Sequence, residues 1–108
     1  MRYDIRVRLF GGAKYFGPGI AELFERIERT GSIRAAAGEM EMAYSKAWRL
    51  ITTAEKETGK KLIDSHTGGK RGGGASLTEE GRSLLKRYRS FEAELRKKGD
   101  ELFASYFD

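Results

Sequence analysis

The chain has 108 residues, 39% hydrophobic and 34% charged with a single proline, enough for one domain with a small core. Lys and Arg number 21 against 16 Asp and Glu, leaving +5 and a pI near 9.6, which points toward a polyanionic partner. The absence of cysteine excludes disulfides, thiolate metal sites and a cysteine nucleophile, and the single His66 cannot build a multi-histidine zinc site. No metal, cofactor or catalytic residue is expected, and the chain does not read as an enzyme.

Tyr3, Ile5, Val7 and Leu9 alternate with Arg2, Asp4, Arg6 and Arg8, a period of two that predicts a half-buried strand. The absence of an apolar run there argues against a signal peptide or membrane span and for a cytoplasmic location. Phe10-Gly11-Gly12-Ala13 supplies a turn, Lys14-Tyr15-Phe16 a short return strand, and Gly17-Pro18-Gly19 a stop that suits a helix start. The period then becomes helical. Ile20, Leu23, Phe24 and Ile27 predict a first helix over 19–29, ended at Thr30-Gly31. Ser32 caps a short second helix over 33–39, and a third runs over 43–58 with Gly59 at its C-cap. Residues 61–66 read as a strand, 67–74 as a glycine loop and 75–77 as its return strand. Thr78 caps a last helix carrying Leu84, Leu85, Tyr88, Phe91 and Leu95, which Gly99-Asp100 is expected to weaken or break before Leu102.

Residues 42–76 hold seven basic side chains (Lys46, Arg49, Lys56, Lys60, Lys61, Lys70, Arg71) against Glu55, Glu57 and Asp64, so this stretch carries +4 of the +5. On a helical wheel Ala47, Leu50, Ile51 and Ala54 form an apolar stripe. The opposite face carries Ser45, Arg49, Thr52 and Lys56, flanked by Lys46 and Thr53. A face of hydroxyls and cations without carboxylate suits a duplex groove, because Arg can fork onto guanine and Lys can neutralise phosphate. An ordinary solvated helix face is the competing interpretation. Trp48 is read as packing, and Tyr44 as an edge contact to DNA.

Two short helices, a tight turn and this polar-faced helix make a helix-turn-helix pattern, and the basic hairpin after it makes a wing. Thr67-Gly68-Gly69-Lys70-Arg71 at the wing can approach a sugar-phosphate chain closely, with His66 at the strand end near phosphate. A nucleotide-binding P-loop is rejected, because Gly68-Gly69-Lys70-Arg71-Gly72-Gly73 lacks its spacing and its terminal Lys-Ser/Thr pair.

Thr30-Gly31-Ser32-Ile33, Ala35-Ala36-Ala37 and Tyr44-Ser45-Lys46-Ala47-Trp48-Arg49-Leu50-Ile51 resemble the N-terminal DNA-binding domain of ModE-type molybdate-responsive regulators. Thr67-Gly68-Gly69 and Gly72-Gly73-Gly74-Ala75-Ser76-Leu77-Thr78-Glu79-Glu80-Gly81 resemble the same family's wing and the start of its next helix. LysR-type regulators are a more distant likeness. The resemblance implies a winged helix-turn-helix that dimerises through its terminal helices on a pseudo-palindromic operator in double-stranded DNA. The C-terminal oxyanion-binding module of the family is expected to be absent. Three positions depart from the family pattern: Glu41 stands where a Gly is usual, Ala43 where the helix cap is Ser, and Ser65 near a usual Arg.

The expected fold is therefore mostly α with a small β-sheet. Residues 1–18 form an N-terminal strand or hairpin, 19–77 the winged helix-turn-helix and 78–108 a dimerisation helix, all in one domain. The expected function is a homodimeric, sequence-specific transcriptional regulator linked to molybdate- or tungstate-related genes. Its DNA-binding residues are Tyr44, Ser45, Lys46, Arg49, Thr52, Thr53, Lys56, His66, Thr67, Gly68, Gly69, Lys70 and Arg71. Its dimer contacts are Leu84, Tyr88, Phe91, Leu95 and Leu102. The alternatives are a protein-interaction module, or a DNA-binding subunit whose effector sensing is supplied by a separate partner protein.

Overall fold

The change from period two to period 3.6 falls where the structure begins its first helix. The computed structural model describes residues 1–66 and 74–108. Its elements are β1 (Leu9–Phe10), β2 (Lys14–Phe16), α1 (Pro18–Thr30), α2 (Ile33–Glu39), α3 (Tyr44–Thr58), β3 (Ile63–His66), β4 (Gly74–Leu77) and α4 (Glu79–Phe107). β1 and β2 form one antiparallel pair, and β3 and β4 another, in the register Ile63 to Leu77 and His66 to Gly74. The mostly helical winged helix-turn-helix architecture is the one expected.

Local chemistry sets the boundaries. Pro18 opens α1 where its missing N–H is not needed, and Gly31 closes it in the left-handed region (φ 72°). The Ser32 hydroxyl accepts from Ala35 N at 3.0 Å at the start of α2, and the Thr78 hydroxyl accepts from Gly81 N at 3.0 Å at the start of α4. The core gathers Leu23, Phe24 and Ile27 of α1, Ile51 of α3, Leu62, Ile63 and Tyr88 around Phe16. The Phe16 ring meets Phe24 and Tyr88 edge-on, with centroids 5.3 and 5.1 Å away.

Three expectations are corrected. The N-terminal segment keeps its alternation, with Tyr3, Ile5, Val7 and Leu9 half-buried and the intervening residues exposed, but only Leu9–Phe10 is strand. Its apolar side lies on α4 instead of in a sheet: the Tyr88 hydroxyl donates to Val7 O at 2.7 Å, and the Tyr3 ring sits 5.1 Å from that of Phe103. The second correction follows from the first. α4 runs unbroken through Gly99-Asp100, because Gly99 leaves room for Tyr3, whose hydroxyl oxygen lies only 2.5 Å from where a Cβ would stand. That hydroxyl donates to Asp100 Oδ1 at 2.6 Å, which raises its pKa, and burial adds to the shift. A glycine that costs about 1 kcal/mol in a free helix is here the seat of a tertiary contact. Third, the strand expected from Lys61 begins only at Ile63. Leu62 N and Ile63 N donate to Glu55 Oε2 at 2.9 and 3.2 Å, so a side chain occupies them first.

Candidate nucleic-acid interface

The turn between α2 and α3 aims the third helix. Met42 N donates to Ala37 O at 2.9 Å and Glu41 N to Gly38 O at 3.1 Å, the paired bonds of a Schellman motif. That motif needs a left-handed residue between them, and Glu41 supplies it with φ 52°, the one non-glycine positive φ among the described residues. Ala43 is the N-cap of α3 and makes no side-chain capping bond.

α3 buries Ala47, Ile51 and Ala54, with Leu50 and Trp48 half-buried beside them. This fixes the rotation of the helix. Ser45, Lys46, Arg49, Thr52 and Lys56 are exposed, and Thr53 is half-buried at their edge. The wheel thus placed these six correctly relative to the core. The two carboxylates of α3 are turned to structural work: Glu55 holds the start of β3, and Glu57 Oε1 accepts from Gly12 N at 2.6 Å and Ala13 N at 3.2 Å, tying the β1–β2 turn to the helix. None of Lys46, Arg49 or Lys56 is in an ion pair among the described residues.

The carboxylates of α1 are paired on other faces. Arg89 of α4 forks onto Glu25 at 2.8 and 3.0 Å, and these bonds push its pKa above the ordinary arginine value. Arg26 bonds Glu22 and Glu39, both at 2.8 Å, and Arg29 also pairs with Glu39. Hydrogen bonds from Arg26 and then Arg29 hold the Glu39 carboxyl below its usual range.

An open cleft of about 390 Å³ lies where α2, the start of α3 and the β3–β4 pair meet, and Arg34, Tyr44, Ser65 and His66 line it. Tyr44 is 38% exposed, with the Arg34 guanidinium carbon 4.2 Å from its ring centroid and the Trp48 ring edge-on at 6.4 Å. Arg34 was missed in the sequence, where it stands beside a run of alanines. Its place opposite Tyr44 depends on how α2 crosses α3, which no local spacing encodes. Thr67, Gly68, Gly69, Lys70 and Arg71 lie outside the described residues.

The expected dimer residues divide. Leu84 and Tyr88 are buried in the chain's own core at 6% and 2% exposure, a correction, because Tyr88 is taken up by Phe16 and Val7. Phe91, Leu95 and Leu102 are exposed along α4, and Tyr106 and Phe107 extend that face beyond them.

A family model described as bacterial regulatory helix-turn-helix protein, lysR family, matches residues 21–82, from α1 into the first turn of α4. The chain belongs to that family. The matched helices carry the exposed face described above. The chain is also 39% identical over 80 residues to the molybdenum transport protein ModE of Azotobacter vinelandii, covering 74% of the chain and 30% of the relative. It is 34% identical over 76 residues to the transcriptional regulator ModE of Haemophilus influenzae, covering 70% and 30%. To the DNA-binding transcriptional dual regulator ModE of Escherichia coli K12 it is 34% identical over 89 residues, covering 82% and 34%. The chain thus spans about a third of these relatives, and the ModE resemblance read from its motifs stands. Among the described residues no helix is long and apolar enough to cross a membrane.

Proposed function

We propose that the chain is the sequence-specific DNA-reading part of a homodimeric regulator of molybdate- or tungstate-related genes. The observation that carries this is the carboxylate-free exposed face of α3. In this reading α3 enters the major groove, and Arg49, Ser45 and Thr52 meet base edges. Lys46, Thr53 and Lys56 hold phosphates, Tyr44 packs at the groove edge, and Arg34 and His66 face the neighbouring backbone. Thr67, Gly68, Gly69, Lys70 and Arg71, between β3 and β4 in sequence, supply the wing contact to the backbone or minor groove. Phe91, Leu95 and Leu102 supply the pairing surface on α4. The link to molybdate rests on the relatives' names.

Selecting genomic fragments bound by the purified chain tests this. Enrichment of pseudo-palindromes beside molybdate transport or molybdoenzyme genes is expected. Arg49→Ala should relax the selected motif and cost about 1–3 kcal/mol on the best site. Unenriched fragments, or a selection indifferent to Arg49, would refute the reading. A monomer in sedimentation at micromolar concentration, with and without DNA, would remove the dimer.

A further inference from the structure

The N-terminal segment was expected to be a strand or hairpin packed on the domain. Its polar side does something else. Arg6 and Arg8, exposed on that side, and Lys14 of β2 form one wall of a cleft of about 410 Å³ whose other wall is α3, with Lys46, Arg49 and Thr53. Five cations therefore converge on one groove, and no carboxylate lines it. Among the described residues none of the five takes part in an ion pair. Like charges gathered without counter-ions repel, and a bound polyanion relieves that repulsion.

The wall is also held in place. The Glu57 carboxylate grips the hairpin turn at Gly12 and Ala13, and Tyr88 and Tyr3 fasten the segment before it to α4. Arg6, Arg8 and Lys14 thus keep a fixed position beside the face that α3 presents. A sugar-phosphate strand bordering a groove occupied by α3 would run along this cleft.

From this we infer that Arg6, Arg8 and Lys14 form a second phosphate-binding surface, which clamps the DNA backbone beside α3. The inference rests on the DNA-binding reading and adds a contact surface from outside the helix-turn-helix. Backbone contacts of this kind strengthen binding to every sequence and steepen its salt dependence without changing base preference.

The test is anisotropy titration of a selected operator and an unrelated duplex between about 50 and 200 mM salt. It compares wild type with Arg6→Ala/Arg8→Ala, Arg49→Ala and, as a charge-matched control, Lys97→Ala/Lys98→Ala. Each neutralised phosphate contributes about 0.9 to the slope of log affinity against log salt. The Arg6/Arg8 variant should bind both duplexes more weakly with a slope flatter by about 1.8, so the wild-type advantage shrinks about 12-fold across that range. Its operator preference should match wild type, whereas Arg49→Ala lowers that preference and the control keeps the slope. These arginines are exposed, so the variants should melt like wild type by circular dichroism. A variant slope equal to wild type overturns the inference while leaving the α3 reading intact. Wild type that binds neither duplex overturns both. Millimolar inorganic phosphate that shifts the Arg8 and Lys14 resonances while the slope stays at the wild-type value would assign the cleft to a small oxyanion instead.

Discussion

Glu41 occupies a conformation its side chain disfavours, and replacing it should stabilise the protein. It is the left-handed residue of the Schellman motif that closes α2, at φ 52°. A residue with a Cβ loses about 1–2 kcal/mol there, which glycine does not. Glycine gives back about 0.4–1 kcal/mol through the greater freedom of its unfolded chain. Glu41 is exposed and forms no side-chain hydrogen bond or ion pair among the described residues, so little else changes. Glu41→Gly should therefore gain about 0.5–1 kcal/mol, or about 2–5 °C in Tm for a domain of this size. Both turn bonds are made by backbone and survive. Glu41→Ala is the decisive control, because it removes the same charge and keeps the strain. Thermal and urea melts of the three proteins check the argument. If the alanine variant gains as much as the glycine variant, the cause is charge and not backbone. If glycine is less stable than wild type, the strain argument fails.

Other outcomes follow from the same packing. Gly81 lies in α4 where a Cβ would overlap the Leu62 carbonyl oxygen, a backbone atom that cannot swing aside. Gly81→Ala should thus destabilise by about 1–3 kcal/mol despite better helix propensity, as urea denaturation would show. Tyr88→Phe should cost about 1 kcal/mol by removing the bond to Val7 O. Burial, then the Glu92 charge, raises the Tyr88 pKa above 10.0, so its hydroxyl contributes below that pH and is lost as pH rises through the raised value. Alkaline melts of the phenylalanine variant should accordingly fall off less steeply than wild type. Glu57→Gln keeps an acceptor for the hairpin turn and should strengthen DNA binding through lost repulsion. Glu57→Ala loses the acceptor too, and the salt slope should be flatter in it than in the glutamine variant.

Periodicity made the helices legible. Ile20, Leu23, Phe24 and Ile27 bury as their spacing requires, and Ser32 and Thr78 cap where a hydroxyl precedes an apolar run. The exposed face of α3 was legible for the same reason, since burying Ala47, Ile51 and Ala54 leaves Ser45, Arg49 and Thr52 one place to go. The main failures are contacts between residues distant in sequence. Gly99 reads as a helix breaker until Tyr3, 96 positions earlier, is seen to need its missing Cβ. Tyr3, Ile5 and Val7 read as a strand because alternation reports which side is covered and not what covers it. Tyr88 and Leu84 sit on the apolar face of a helix that passes from the core into solvent, so one stripe serves two environments.

Charge arithmetic along the chain misled in an instructive way. Assigning +4 to residues 42–76 left only +1 elsewhere, which made the rest of the molecule look neutral. That remainder is a cancellation. Residues 1–16 carry four basic side chains against Asp4, while residues 17–41 carry five acidic against three basic, and 77–108 balance. In space the cations of residues 1–16 are in no ion pair with those carboxylates among the described residues. Glu22, Glu25 and Glu39 are spent on Arg26, Arg29 and Arg89, whereas Arg6, Arg8 and Lys14 turn toward Lys46 and Arg49. The field a duplex meets is set by which charges share a face at separations within a Debye length, about 10 Å at 0.1 M salt, and not by which share a stretch of sequence. The basic surface is thus wider than the helix-turn-helix, and the hairpin that widens it is fixed to α3 by Glu57, one of the carboxylates that the segment tally counted against it.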